Sequence, residues 1–169
     1  VTSSEPAVPP LTIDPDDLSR PQVRALVAEH LAEMRATSPP ESVHALDHTG
    51  LTAPDVSFWT VWAGDALVGC GGLRRLSPVS GEIKAMRTRA EARGRGVAAH
   101  LLRFLLAECR RRGYRQVSLE TGSEEFFAPA RRLYARHGFV PCPPFGDYRE
   151  DPNSVFLTRR LDVDGAGDR

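Results

Sequence analysis

The sequence predicts an α+β domain with a mixed central sheet flanked by helices, and three observations carry that expectation. Apolar residues recur at strand spacing in some segments and at helical spacing in others, and the two kinds alternate. Some strand-like segments are joined by short turns and others through helices, so hairpins and parallel crossovers should share one sheet. A strand-like run also meets a helical pattern through Arg93-Gly94-Arg95-Gly96-Val97-Ala98, which puts a glycine turn where a helix begins.

Residues 11–14 read as a first short strand. Val23, Leu26, Val27, Leu31 and Met34 then fall at helical spacing, with Arg24, Glu29, Glu33 and Arg35 on the other face. Pro21 suits a first helical turn, and Pro39-Pro40 forces the stop. A short turn or helix over 41–47 follows. Ser57-Phe58-Trp59-Thr60-Val61-Trp62 is β-rich, Gly64-Asp65 signals a hairpin, and 67–76 forms the return strand. Gly69, Gly71 and Gly72 in that strand predict a bulge or close backbone packing.

A break at 77–81 leads into a strand over 82–88. Val97, Leu101, Phe104, Leu105 and Cys109 make a second amphipathic helix ended by Gly113. Residues 116–120 read as a strand and 126–137 as a third helix stopped by Gly138. Strands at 139–140 and 154–161 complete the set. One domain is therefore expected over 11–161, with a loose tail at 1–10 and a polar tail at 162–169.

A chain of 169 residues is long enough to bury roughly 70% of its unfolded surface in one domain. Its 22 basic and 22 acidic residues cancel, which argues against a nucleic-acid partner. Lys84 is the one lysine among the basic residues; the arginine bias reads as genome composition and lowers the weight of each arginine. Cys70, Cys109 and Cys142 are scattered and odd in number. They fit neither a disulfide framework nor a zinc site and read as buried thiols in a reducing cytoplasm. No run approaches the ~18 apolar residues of a membrane span, and residues 1–10 lack the apolar core of a signal peptide. The expectation is a cytoplasmic protein without metal or membrane contact; a homodimer is left open.

The chemistry lies in the glycine turn. Two glycines let a ligand approach the backbone, and a helix start offers unpaired N–H groups with a partial positive charge. Arg93 and Arg95 add charge-assisted donors for phosphate. Gly94-X-Gly96-X-X-Ala99 also matches a dinucleotide fingerprint, with Glu120 near the expected ribose-binding position. Against that stand the residues between strand and first glycine, and a chain too short for two nucleotide halves. A triphosphate loop is excluded because no Gly-Lys-Ser/Thr follows the glycines.

The turn resembles the acetyl-CoA loop of the GNAT superfamily of N-acetyltransferases, [Q/R]-x-x-G-x-[G/A], with Glu91 in its first position. Ala130-Arg131-Arg132-Leu133-Tyr134-Ala135-Arg136-His137-Gly138-Phe139 resembles the family's later A-x-x-L-Y-x-x-x-G-F segment. Phe127 stands where many members carry Asn. Leu119-Glu120-Thr121-Gly122-Ser123 and residues 144–154 look like a bacterial small-molecule-type subgroup of unassigned substrate. Some of its members are labelled as acting on indole-3-acetate.

The resemblance implies a GNAT fold and acetyl transfer from acetyl-CoA directly to an amine of a small molecule or amino acid. Cofactor contacts would come from the backbone of Met86, Arg87 and Thr88 and from Arg93, Gly94, Arg95, Gly96, Val97 and Ala98. Tyr134 occupies the general-acid position, and Glu82 matches a position where several members place a base, with Glu120 as second candidate. The alternative from another class is a non-catalytic acyl-CoA sensor. His44 and His48 read as solvated loop residues. Trp59 and Trp62, an odd number of positions apart, read as core plus rim. Arg110-Arg111-Arg112 suits a helix C-terminus. Tyr148, Asp151 and residues 39–47 lie where family members build acceptor pockets.

Overall fold

Trp59 and Val61 point to one sheet face and Phe58 and Trp62 to the other, and all four are buried. A strand covered on both sides needs helices on both sides, and the computed structural model, which describes residues 9–162, has them. The expected tails lie outside the described residues, apart from Pro9, Pro10 and Asp162.

The strands are β1 (Leu11–Pro15), β2 (Val56–Ala63), β3 (Ala66–Ser77), β4 (Ser80–Thr88), β5 (Gln116–Gly122), β6 (Val140–Pro141) and β7 (Ser154–Arg160). They form one seven-stranded sheet in the order β1-β2-β3-β4-β5-β7-β6. The helices are α1 (Pro21–Thr37), α2 (His48–Leu51), α3 (Val97–Arg111) and α4 (Ala128–Arg136). Leu101, Leu102 and Leu105 of α3 and Leu133 of α4 pack with Trp59, Val61, Ile83 and Leu119 on one face. Val23, Leu26 and Val27 of α1 and Leu51 of α2 pack with Phe58 and Trp62 on the other.

Several elements differ from their expected form. Trp62 is core rather than rim, because α1 and α2 close over its face, and its indole Nε1 donates to Thr60 Oγ1 at 2.9 Å. Only a 3-10 turn forms at Pro40–Ser42. The short helix comes later, at His48–Leu51, where the Asp47 carboxylate caps the Gly50 amide at 2.9 Å. The last helix starts at Ala128, after a 3-10 turn at Glu125–Phe127, with Pro129 in its first turn.

Two irregularities in β4 position the site. Cys70 pairs with Arg87 and Gly72 with Lys84, so Ala85 and Met86 together oppose Gly71. This is a β-bulge, with Ala85 at φ +55°. Gly71 gives the bulge room: a Cβ would sit 2.9 Å from both the Leu101 side chain and the Met86 sulfur, so one or both side chains would have to shift. Gly71→Ala is expected to lower unfolding free energy by about 1–3 kcal/mol, as overpacking does. Urea denaturation with an unchanged m-value checks it.

The second irregularity is a split. β4 and β5 run parallel, the one parallel pair among the described residues, and pair only as Ser80 with Gln116, Gly81 with Val117 and Glu82 with Ser118. Beyond those residues each strand loses the other, while β5 stays paired to β7 along its whole length. A mostly antiparallel sheet with one short parallel pair is not the doubly wound sheet of a dinucleotide fold. The split opens the sheet at its centre.

Candidate active site

A cleft of about 540 Å³ occupies the split. Residues from the bulged half of β4, from the end of β5, and from both helical layers line it. It therefore has two sides that meet through the sheet.

The α3–α4 side carries the glycine turn and the tyrosine. Gly94 and Gly96 adopt φ of +77° and +78°, a left-handed conformation that glycine takes without strain. A Cβ added at either would meet no protein atom within 4 Å; the space over both is open. Gly96 caps α3, so the first amides of the helix have no carbonyl one turn earlier to bond. Arg93, Gly94, Gly96, Val97 and Ala98 line the cleft; Arg95 does not. The Arg93 guanidinium lies 3.9 Å from Glu33.

Tyr134 of α4 lines the same side and is 6% exposed. Its ring packs edge-on against Phe139 at 5.6 Å. Burial raises its hydroxyl pKa above the ordinary value, so the proton stays on at neutral pH. Phe127 is buried with its ring against Gly122, at the end of β5.

The opposite side carries the carboxylates. Glu120 lines the cleft, and burial raises its pKa; the Ser154 hydroxyl, bonded at 2.9 Å, and the charges of His44 and Lys84 oppose that shift. Glu82 is 1% exposed rather than a strand-end surface charge, and it is not among the residues lining the cleft. The Tyr148 hydroxyl donates to Glu82 Oε2 at 2.5 Å, and Lys84 Nζ lies 3.5 Å from the same oxygen.

His44 is not a solvated loop residue. It lines the cleft, meets the Tyr148 ring edge-on at 5.1 Å, and its carbonyl accepts from Lys84. His48 is exposed, with Nε2 3.2 Å from the Leu18 carbonyl. Sequence reasoning gave Lys84 no role in the site. The signal was present: the chain's one lysine stands two positions from Glu82 in a strand, so both share a face.

The remaining site residues brace the walls. Met86 and Thr88 line the cleft beside the bulge. Arg87 is 9% exposed and ion-paired with Glu29, at 2.8 Å, and with Glu33, so it ties β4 to α1. Its Nε is buried without a partner. His30 of α1 lines the cleft nearby, and burial with the Arg87 charge lowers its pKa to about 4. Between about 6.5 and about 4 the unfolded chain therefore binds the extra proton, and stability falls as pH falls through that window. Denaturant titrations at both ends should show a smaller loss for His30→Phe than for wild type. Cys70 and Cys109 are buried, with thiols pushed up to about 12, whereas Cys142 is only half-buried.

The chain is similar to known proteins along most of its length. The model of a family described as Acetyltransferase (GNAT) family matches residues 23–139. The chain is 52% identical over 146 residues to the uncharacterized N-acetyltransferase YsnE of Bacillus subtilis (strain 168), covering 86% of this chain and 97% of that one. It is 48% identical over 150 residues to the uncharacterized N-acetyltransferase YedL of Escherichia coli (strain K12), covering 89% and 94%. A crystal structure from Klebsiella pneumoniae, assigned to the acyl-CoA N-acyltransferases, superposes with a TM-score of 0.73 at 27% identity, over 90% of this chain and 98% of that one. A GNAT family acetyltransferase from Elizabethkingia anophelis, solved with acetyl-CoA bound, has a TM-score of 0.63 at 16% identity, over 89% and 98%.

Proposed function

The chain belongs to the GNAT family of acetyltransferases, and from that premise we propose that it moves the acetyl group of acetyl-CoA directly onto an amine of a small molecule or amino acid. The observation that carries the reading is the split sheet: an open amide cradle and Tyr134 face the cleft from one side, Glu120 and Lys84 from the other. Donor and acceptor can then approach the split from opposite faces of the sheet. The acetyl-CoA bound by the Elizabethkingia protein supports the choice of donor.

The open space over Gly94 and Gly96 fits a diphosphate, which needs several converging N–H donors. Acetyl-CoA supplies an activated thioester. The chain's residues do the rest. An alkyl ammonium with pKa about 10.4 must lose a proton before its nitrogen can attack. Glu120 takes that proton: it faces the cleft, and its raised pKa makes it a stronger base than an ordinary carboxylate. We assign the role to Glu120 over Glu82 because Tyr148 and Lys84 already engage Glu82. Nitrogen then bonds to the acetyl carbon and the carbon–sulfur bond breaks, leaving a thiolate and an N-protonated amide, whose extra proton returns to the tyrosine oxygen once Tyr134 has protonated the sulfur. Tyr134 donates its proton to the departing sulfur. No covalent relay through the buried Cys70 or Cys109 is needed.

Calorimetric titration tests the cradle. CoA is expected to bind wild type and to bind Gly96→Val at least ten-fold more weakly, because the new side chain fills the open space. Holding a non-glycine residue at that φ costs about 1–2 kcal/mol, so a thermal melt must show the variant folded. Binding of NAD with no binding of CoA would contradict the reading.

A further inference from the structure

Acetyl transfer as described gives Lys84 no task beyond its ion pair with Glu82. It is 8% exposed yet lines the cleft, and it is the single lysine in a chain that otherwise uses arginine. An ammonium buried this deeply loses much of its hydration and persists only where something on the protein or the ligand repays that loss. Resting on the acetyl-transfer reading, we infer that Lys84 binds a carboxylate of the acceptor, so that the substrate is an amino acid or a similar amino carboxylate.

Register puts the two charged groups across the opening. Glu82 pairs with Ser118 in parallel, and side chains two positions further along each strand keep the same face. Those residues are Lys84 on β4 and Glu120 on β5, one on each lip of the split, because pairing has stopped. Both line the cleft, and the Lys84 charge acts on Glu120. A cation on one lip and a carboxyl on the other match the carboxylate and amine of a compact zwitterion.

The ammonium itself is only partly used. Nζ donates to the Tyr148 hydroxyl at 2.8 Å and to the His44 carbonyl at 3.1 Å, both uncharged oxygens. Glu82 Oε2 is further away, at 3.5 Å, and is held by Tyr148. An ammonium has three donors, so one remains for a further acceptor. A substrate carrying only an amine would gain nothing here, because Lys84 repels its protonated form. A carboxylate on the substrate turns the same charge into an attraction.

The test compares amino acids with their decarboxylated amines as acceptors, by kcat/KM, in wild type, Lys84→Met and Lys84→Met/Glu82→Gln. The double variant removes both charges of the buried pair together and so strands neither. Wild type is expected to prefer the amino acids by about 10- to 100-fold, the range of one charge-assisted hydrogen bond. That preference should fall close to unity in both variants. General catalytic losses cancel in the ratio. Equal use of the two kinds of acceptor by wild type, or a preference that survives removal of Lys84, overturns the inference while leaving acetyl transfer intact. Acetyl-CoA binding without acetylation of any amine overturns the acetyl-transfer reading, and this inference with it.

Discussion

Tyr134→Phe is expected to lower kcat by about 100- to 10,000-fold, the contribution of a positioned general acid. The substitution removes one hydroxyl and leaves the ring against Phe139, so packing and acetyl-CoA affinity should stay close to wild type. The phenyl ring would still fill the α4 side of the cleft, but the sulfur would leave without a proton. Stopped-flow release of the CoA thiol, read beside calorimetric affinity for acetyl-CoA, separates the two effects. A wild-type rate in the variant would make Tyr134 a packing residue. The rate of the chemical step must be read, because slow product release would hide the loss.

Glu120→Gln is expected to cost at least 100-fold in kcat/KM at neutral pH, with a distinctive pH dependence. In wild type, activity should rise with pH through the Glu120 titration, which burial has moved above the usual carboxylate range. The variant lacks that limb. Its activity should climb only as solution supplies free amine, toward the acceptor's own pKa, which is about 10.4 for an alkyl amine and lower for an α-amino group. Glu82→Gln is the informative companion. It weakens the Tyr148 bond and leaves Lys84 without its ion-pair partner, so its main expected effect is lost stability. If Glu82→Gln instead removes the pH limb and Glu120→Gln keeps it, the base is Glu82.

Much of the fold was legible because the local signals were strong. The β-rich run at Ser57 to Trp62, the Gly64-Asp65 turn and the Gly113 and Gly138 stops each fix an element through short-range chemistry. The three glycines of β3 were read as a bulge or close backbone packing: the bulge lies on the neighbouring strand, at Ala85 and Met86, while a Cβ on Gly69 would come within 2.9 Å of the Arg87 carbonyl. The helix at His48–Leu51 was not legible. It is one turn long, with no room for a period, and its cap and its packing under β2 decide it.

The site divides in the same way. Cradle and tyrosine sit in contiguous motifs, so sequence alone could name Gly94, Gly96 and Tyr134. The opposite side of the cleft is built from residues far apart in the chain. His44, Lys84, Glu120 and Tyr148 come from two strands and two loops, and no spacing rule joins them. Glu82 was named from its position, but its burial depends on Tyr148, 66 residues later. Lys84 was lost in a count of basic residues, where only its place in the strand distinguishes it.

The most direct measurement is release of CoA thiol from acetyl-CoA by the purified protein, with and without a panel of free amino acids and simple amines. The account predicts thiol release that requires an amine, is matched by acetylated acceptor in the products, and is lost in Tyr134→Phe. Bound acetyl-CoA that stays intact with every amine, or thiol release at the same rate without any amine, would contradict it.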